Sequence, residues 1–297
     1  MGLGVVEVFM RSNILALVGG GPVPRFPRNK VVVWDDYQNK CIAELEFTSA
    51  VLGVRLRRER IVVALEFSVY VYNFVDLSFV AQVPTFANPT GQLGLCVASP
   101  ITMVYPAVAQ GHLAIRCEDP ADPTGVRCVP RPTLATHNGP LACVALSLDG
   151  KLAATASDKG TLVRVWDTTT GAQVREFRRG SENAHIWSMC FSQDNALLAV
   201  SSSKGTCHIF ALQDGLAANK QSSLHSLRGM LPAYFSSEWS SLQVPVPTQR
   251  TTLSFAADKS SLLVLCHDGT CARINLDFGS SPSATIDPTF GWYNLLK

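Results

Sequence analysis

The stretch that decides the fold is LAATASDKGT at residues 152–161, which recurs as LAVSSSKGT at 198–206 and as LVLCHDGT at 263–270. Each copy joins a short apolar run to a turn that ends in Gly-Thr, which is typical of two β-strands linked by a tight turn. Gly160 and Gly205 are 45 residues apart, and the Trp-Asp pairs at Trp34 and Trp166 are 132 residues apart, or three intervals of 44. A repeat of about 40–45 residues built from short strands predicts a β-propeller.

The remainder of the chain follows the same rhythm. Short runs rich in β-branched and aromatic residues, such as 30–34, 60–65 and 69–72, lie between turn residues, and almost no segment has a helical period. We therefore expect an all-β, WD40-like β-propeller that occupies residues 1–297 as a single domain. Six units are readable, at about 3–47, 50–85, 93–130, 138–179, 186–247 and 251–278, followed by a tail, and no unit precedes the strand at 5–9.

The composition is that of a compact protein, with 47% hydrophobic residues, 16% charged residues and a net charge of +2. So small a net charge does not favour a nucleic-acid partner. No apolar run reaches the roughly 18–20 residues needed to span a bilayer, and no signal sequence is recognisable. The nine cysteines are odd in number and form no CxxC motif. We expect a reduced, cytosolic protein whose cysteines serve as core residues.

No pattern favours catalysis, a metal or a cofactor. The cluster CHDGTC at 266–271 contains possible metal ligands, but its Asp-Gly is typical of a hairpin turn, so core cysteines are the preferred interpretation. The spacing of Ser, His and acidic residues suggests no catalytic arrangement, and we expect a non-catalytic protein without a cofactor. A group of four basic residues is interpreted as a solvated strand-and-turn cluster: Arg55, Arg57, Arg58 and Arg60.

Phe177-Arg178-Arg179-Gly180 lies on the strand that ends one unit and leads into the next. Side chains alternate in direction along a strand, so consecutive arginines should point to opposite sides. Each guanidinium can then form its own anion pocket, because its planar fork suits phosphate oxygens. The alternative is a solvated pair with no ligand. We prefer two neighbouring phosphate sites on one rim of the propeller.

A long insertion interrupts the fifth unit. Gly205 and Gly269 are 64 residues apart, so about 20 extra residues fall there, at about 212–243. Long structured loops are often functional. Its aromatic residues either pack back onto the propeller or are exposed and contact a membrane interface, where such side chains are favoured. We prefer the second interpretation, with these residues in contact with the membrane: Leu227, Met230, Leu231, Tyr234, Phe235 and Trp239.

Together these features resemble the PROPPINs, β-propellers that bind polyphosphoinositides, and among them the short, loop-poor branch of animal WIPI proteins. The resemblance rests on the Phe-Arg-Arg-Gly motif, the flanking Lys-Gly-Thr turns and the insertion one unit later. It extends from about residue 5 to 275 and is densest at 137–245. Further matching segments are 11–21, 34–36, 56–58, 88–89 and 219–224.

The resemblance implies a seven-bladed fold with two lipid-headgroup sites on one edge. The implied ligands are phosphatidylinositol 3-phosphate and phosphatidylinositol 3,5-bisphosphate in membranes. Strand 161–166 should pair with strand 174–179 and bring Arg164 near Arg178. Carried onto this sequence, the first site comprises His137, Lys159, Thr161, Arg164 and Arg178, and the second comprises Arg179, Ser202, Ser203, Thr206 and His208.

The resemblance also implies a scaffold for autophagosome formation and endolysosomal traffic. Such a protein is cytoplasmic and peripheral on autophagosomal precursor and endolysosomal membranes, and an autophagy lipid-transfer protein is a further partner. Two departures stand out, because the family's first blade has no counterpart here and 88–96 carries extra residues. The missing blade bears part of the partner surface, so lipid binding is better supported than that partnership. The competing hypothesis is a WD-type propeller that binds a protein and no lipid.

Overall fold

The computed structural model describes residues 2–213, 219–221, 238–279, 282–287 and 292–294, and within them the secondary structure is β-strand without α-helix. The chain divides into two compact units, Met1–Ala135 and Thr136–Lys297. No described segment forms a helix with the length and apolar character that a bilayer crossing requires.

The described part of the first unit contains three antiparallel sheets, in which consecutive strands pair with one another, with one exception in the third sheet. The first sheet consists of β1 (Leu3–Val8), β2 (Ile14–Gly19), β3 (Lys30–Asp35) and β4 (Lys40–Glu46). The second consists of β5 (Gly53–Leu56), β6 (Arg60–Ala64), β7 (Ser68–Asn73) and β8 (Phe79–Pro84). The third consists of β9 (Gly94–Leu95), β10 (Thr102–Pro106), β11 (His112–Glu118), β12 (Cys128–Val129) and β13 (Leu134–Ala135), where β13 pairs with β11.

Three more sheets form the described part of the second unit. The fourth sheet consists of β14 (Leu141–Leu146), β15 (Leu152–Ser157), β16 (Leu162–Asp167) and β17 (Gln173–Arg178), extended at its edge by β21 (Lys220–Gln221) and β22 (Glu238–Trp239). The fifth consists of β18 (Ile186–Phe191), β19 (Leu197–Ser202), β20 (Thr206–Ala211) and β23 (Leu242–Pro245). The sixth consists of β24 (Thr251–Phe255), β25 (Ser261–Cys266), β26 (Thr270–Asp277), β27 (Ser283–Ile286) and β28 (Trp292–Asn294).

The repeated Gly-Thr stretches form the turns between the second and third strands of the last three sheets. Gly160, Gly205 and Gly269 have φ angles of +60°, +73° and +82°. A residue with a Cβ is disfavoured in this left-handed region, which explains why glycine recurs there. The hairpin predicted within CHDGTC is confirmed, since β25 and β26 pair antiparallel on either side of it.

The sequence predicts that the residues after 278 form a tail outside the six units, but part of that tail belongs to the sixth sheet. The β27 and β28 strands both lie in the tail and pair with different parts of β26. Without them the outer edge of β26 would present unpaired backbone groups, which such edges avoid. With four and three residues, both strands are too short for an alternating pattern to be visible in the sequence.

The prediction that four arginines of the first unit form a solvated cluster is wrong for two of them. Arg57 and Arg60 are only 6% and 5% exposed. Arg60 Nε lies 2.9 Å from Glu118 Oε1, and its Nη2 lies 2.8 Å from Glu118 Oε2. Arg57 donates to the carbonyls of Cys96 and Ala98. Buried cations need such acceptors, and these partners lie far away in the sequence.

Apolar side chains between the fourth and fifth sheets form the core that supports the arginine motif. Phe177 is fully buried there, and its ring stacks on Phe210 with 4.5 Å between centroids. Cys143 is buried in the same cluster, and Cys207 and Cys266 are buried in the cluster between the fifth and sixth sheets. These three therefore serve as core residues, as predicted, whereas Cys41 is exposed.

Candidate functional site

The two adjacent arginines lie at the end of β17 and are both buried, with Arg178 8% and Arg179 5% exposed. Their burial rules out the solvated pair. In the ladder of β16 and β17, Val163 lies opposite Phe177 and Leu162 lies opposite Arg178. Because Phe177 faces the core between the fourth and fifth sheets, alternation places Arg178 on the other face of β17.

The first cluster lies on the face of the fourth sheet that carries Arg178. Arg164 is opposite Glu176, and its Nε donates to Glu176 Oε2 at 2.8 Å, while its Nη1 donates to the carbonyl of Thr136. His137 Nε2 lies 3.0 Å from Thr155 Oγ1. As predicted, β16 pairs with β17, but the direct cross-strand partner of Arg164 is Glu176 rather than Arg178. Sequence reasoning missed Glu176, although its place two residues before Arg178 puts both on one face.

His137 is held as a neutral imidazole. Burial, with a smaller contribution from the positive charge of Arg164, lowers the pKa of His137 to about 4. A phosphate dianion beside it would favour the protonated ring. The cluster can therefore gain a positive charge when an anion arrives.

The second cluster gathers around Arg179 and the fifth sheet. Arg179 Nε donates to the carbonyl of Gly160 at 2.9 Å, and Nη2 donates to the carbonyl of Glu182. Burial, with a smaller contribution from the positive charge of Arg179, lowers the pKa of His208 to about 4. His208 Nε2 lies 3.0 Å from Thr206 Oγ1. This cluster therefore also pairs a buried cation with a neutral imidazole.

Serine hydroxyls complete the second cluster. Ser202 pairs with Thr206 in the ladder of β19 and β20, and its side chain is fully buried. Its Oγ has no hydrogen-bond partner among the described residues, so it can still serve a ligand. Ser203 differs, because its Oγ accepts the backbone N–H of His185 at 3.1 Å. Ser240 was missed by sequence reasoning; its Oγ lies 3.1 Å from His208 Nδ1.

The turn that holds Lys159 and Thr161 connects the clusters to the loop after Arg179. Thr161 accepts the backbone N–H of Arg179 at 2.9 Å, and Lys159 accepts that of Ala184 at 3.0 Å. Lys159 is exposed at the tip of the turn. The backbone thus places Thr161 beside Arg179. Thr161 also precedes Leu162, which lies opposite Arg178, so it is near both arginines in the ladder.

An acidic residue at the second cluster was also missed. Glu182 Oε2 lies 2.5 Å from Lys204 Nζ, and this contact lowers the pKa of Glu182. Both groups are well exposed, so the ion pair is weak and readily exchanged. Lys204 therefore remains accessible to an incoming anion.

Only the ends of the predicted insertion fall within the described residues. The strand β22 pairs parallel with β17, with Trp239 opposite Arg178, and β21 pairs antiparallel with β22. Trp239 is half-buried there, and its membrane contact stays a prediction. Five of the predicted membrane residues lie outside the described residues: Leu227, Met230, Leu231, Tyr234 and Phe235.

We expect acid to destabilise the protein through His208. Its pKa is about 4 in the folded state and about 6.5 in the unfolded state, so the unfolded chain binds the proton first as the pH falls. The stability is fully present above pH 6.5 and is lost towards pH 4. Between pH 7 and 5 the loss from His208 alone should be about 2 kcal/mol in the free energy of unfolding.

Urea denaturation across this pH range checks the expectation. His208→Gln should reduce the pH dependence but not abolish it, because His137 has a similarly lowered pKa, whereas substitution of the exposed His267 by Gln should leave the pH dependence as in the unmodified protein. Equal slopes for His208→Gln and the unmodified protein would show that His208 does not carry the effect.

Among the described residues, no group of three or more His, Cys, Asp and Glu side chains is arranged to hold a metal ion. The residues of the candidate site lie in two clusters that each contain arginine, histidine and hydroxyl side chains. Their donors and latent positive charge suit phosphate oxygens.

Comparisons with known proteins match this chain to one family. The PROPPIN family model matches residues 4–250. Autophagy-related protein 18e of Arabidopsis thaliana is 36% identical over 283 residues, which cover 93% of this chain and 73% of that protein. SVP1-like protein 2 of Emericella nidulans is 42% identical over 202 residues, which cover 68% of this chain and 61% of that protein.

Solved structures of similar fold confirm the predicted β-propeller. Hsv2 of Kluyveromyces lactis, with a complete loop 6CD, has a TM-score of 0.75 at 22% identity and covers 96% of this chain and 85% of its own. KlAtg21, solved in complex with the coiled coil of AgAtg16, also has a TM-score of 0.75 at 22% identity, covering 95% of this chain and 83% of its own. At such identity the likeness establishes the WD40-like propeller fold alone.

Proposed function

This chain belongs to the PROPPIN family, and on that premise we propose that it is a non-catalytic scaffold recruited to membranes by phosphoinositides. The proposed lipids are phosphatidylinositol 3-phosphate and 3,5-bisphosphate. The proposed processes are autophagosome formation and endolysosomal traffic, with the protein in the cytoplasm and peripheral on those membranes.

The observation that carries the proposal is the pair of buried arginines at the end of β17, Arg178 and Arg179, with the neutral His208 in the cluster of Arg179. Arg179 is held by two carbonyl oxygens, which orient it without neutralising its charge. A phosphate dianion would compensate the buried charge and favour protonation of His208. Each hydrogen bond to a charged group contributes roughly 1.5–3 kcal/mol, so one site alone gives modest affinity.

Two sites on one protein bind a membrane multivalently. Once the first headgroup is held, the second lipid is at a high effective concentration in the same leaflet. The avidity for the membrane then exceeds the affinity of either site alone.

The experiment that tests this function is flotation with vesicles of defined composition. The protein should float with phosphatidylcholine vesicles that contain a few per cent of phosphatidylinositol 3-phosphate. With vesicles of phosphatidylcholine alone it should remain in the bottom fraction of the gradient. Vesicles with the same charge from phosphatidylserine separate a specific site from general attraction to anionic lipid. Equal indifference to all three would reject the proposal in favour of a WD-type propeller that binds only proteins.

We further propose that the insertion at about 212–243 contacts the membrane, as its aromatic and apolar sequence suggests. Replacing residues 222–237 with a Gly-Ser linker of equal length should weaken vesicle binding by about tenfold or more. Binding of soluble inositol 1,3-bisphosphate, measured by calorimetry, should not change because no membrane is present. Unchanged vesicle affinity would instead favour packing of these residues on the propeller.

A protein partner is part of the proposal as well. The Atg21 structure contains the coiled coil of an Atg16 protein, so a related propeller binds a protein. We propose an autophagy protein as the partner of this chain, with a lipid-transfer protein as the candidate from the sequence.

A further inference from the structure

One segment of four residues, 238–241, contacts both arginine clusters. On one side, Trp239 lies opposite Arg178 where β22 pairs with β17. On the other side, Ser240 Oγ lies 3.1 Å from His208 Nδ1, and Ser241 Oγ donates to the carbonyl of Ile209 at 2.9 Å. Ser240 is fully buried. The segment therefore lies between the strand of the first cluster and the histidine of the second.

Asn219 links this segment to the end of β20. Asn219 Oδ1 accepts the backbone N–H of Ala211 at 2.9 Å, and its Nδ2 donates to the carbonyl of Ala211 at 2.8 Å. The same Nδ2 lies 3.0 Å from Glu238 Oε2. Ala211 ends β20, the strand that carries His208, so the amide ties β20 to β22. An amide is required because it supplies an acceptor and donors together.

The contacts restrict the two groups that would meet a headgroup. The His208 ring is held on both nitrogens, by Thr206 and by Ser240, which limits its rotation. The backbone of Arg178 is held between β16 and β22, so β17 is not an open edge where this residue lies. If the segment moved, both clusters would lose their geometry together.

We propose that Asn219 and Glu238 form a clasp that positions both headgroup sites through the segment 238–241. Asn219 is thus a positioning residue, because it acts on the ligand through His208 and Arg178. This inference rests on the proposed lipid binding. The ligand is the soluble chemistry common to these lipids, an inositol that bears a phosphate monoester.

A charge swap within the clasp tests the inference. Asn219→Asp places a carboxylate against that of Glu238 and should weaken binding of inositol 1,3-bisphosphate about tenfold. The double variant Asn219→Asp with Glu238→Gln gives the new carboxylate a donor and should recover part of the lost affinity, while the carbonyl of Ala211 still lacks the donor that Asn219 supplied. Since the ligand is soluble, membrane contact by the insertion cannot account for either change.

Asn13→Asp is the matched control, because Asn13 likewise donates from its amide to a carboxylate, that of Asp35, in the first unit. It is expected to lower the thermal stability and leave headgroup affinity unchanged. Unchanged affinity in Asn219→Asp, or failure of the double variant to recover, would overturn the inference.

The histidine ring supplies a readout that does not depend on lipid binding. The 15N signals of the His208 ring should shift in Asn219→Asp and move part of the way back in the double variant. If the His208 signals do not shift in Asn219→Asp, the proposed clasp is wrong even if the protein binds lipid. A protein that binds no headgroup but shows these shifts would refute the proposed function and leave the clasp as a fact of the fold.

Discussion

Replacing Arg178 and Arg179 together with threonine is expected to abolish binding to vesicles that contain phosphatidylinositol 3-phosphate. Each arginine supplies charge-assisted hydrogen bonds to a separate headgroup, and losing both removes multivalency as well. The affinity should therefore fall by at least about a hundredfold, to the level of vesicles without the lipid. Calorimetry or flotation measures the change.

The fold should survive this substitution, because threonine is a good strand residue and Phe177 keeps its place in the core. The carbonyls of Gly160 and Glu182 lose the donor supplied by Arg179, which should lower the thermal stability modestly. Arg11→Thr with Arg58→Thr removes the same charge from two exposed positions and is expected to keep lipid specificity. Retained binding by the Arg178 and Arg179 variant would reject the proposed sites.

Gly160→Ala is expected to destabilise the protein far more than the equivalent change at Gly205. Both glycines have positive φ angles, +60° and +73°, so each substitution carries a backbone cost of about 1–2 kcal/mol. At Gly160 the new Cβ would also lie 1.9 Å from the carbonyl oxygen of Ala184. At Gly205 the nearest atom is the Thr248 methyl group at 3.1 Å, which can give way.

Urea denaturation should therefore show a loss above about 3 kcal/mol for Gly160→Ala and of about 1–2 kcal/mol for Gly205→Ala. The clash at Gly160 also moves the carbonyl that holds Arg179, so the second headgroup site should weaken in protein that remains folded. Similar losses of stability at the two positions would show that strain in the turn, and not the close approach of residue 184, makes Gly160 necessary.

The sequence predicted those features that depend on local repetition. The Gly-Thr turns and the Trp-Asp pairs recur at a fixed interval, so the sheets and the repeated turn glycines could be anticipated from them. The placement of Arg178 on the face opposite Phe177 follows from alternation along one strand. These predictions required only the identity of residues close in the sequence and the repeat interval of about 40–45 residues.

Features that depend on distant pairing could not be predicted in this way. Arg60 is 58 residues from Glu118 in the chain, and nothing local distinguishes this buried ion pair from a solvated arginine. Ser240 reaches His208 across the insertion, and Asn219 reaches Ala211 at its other end. Glu176 was within reach of sequence reasoning, because the register that places Arg164 on β16 also places Glu176 opposite it.

The stoichiometry of headgroup binding tests the central claim most directly. Calorimetric titration with soluble inositol 1,3-bisphosphate should give two headgroups per chain for the unmodified protein. Arg178→Thr and Arg179→Thr, each alone, should give one. A single headgroup per unmodified chain, or loss of both from either single variant, would contradict the claim that each arginine serves a pocket of its own.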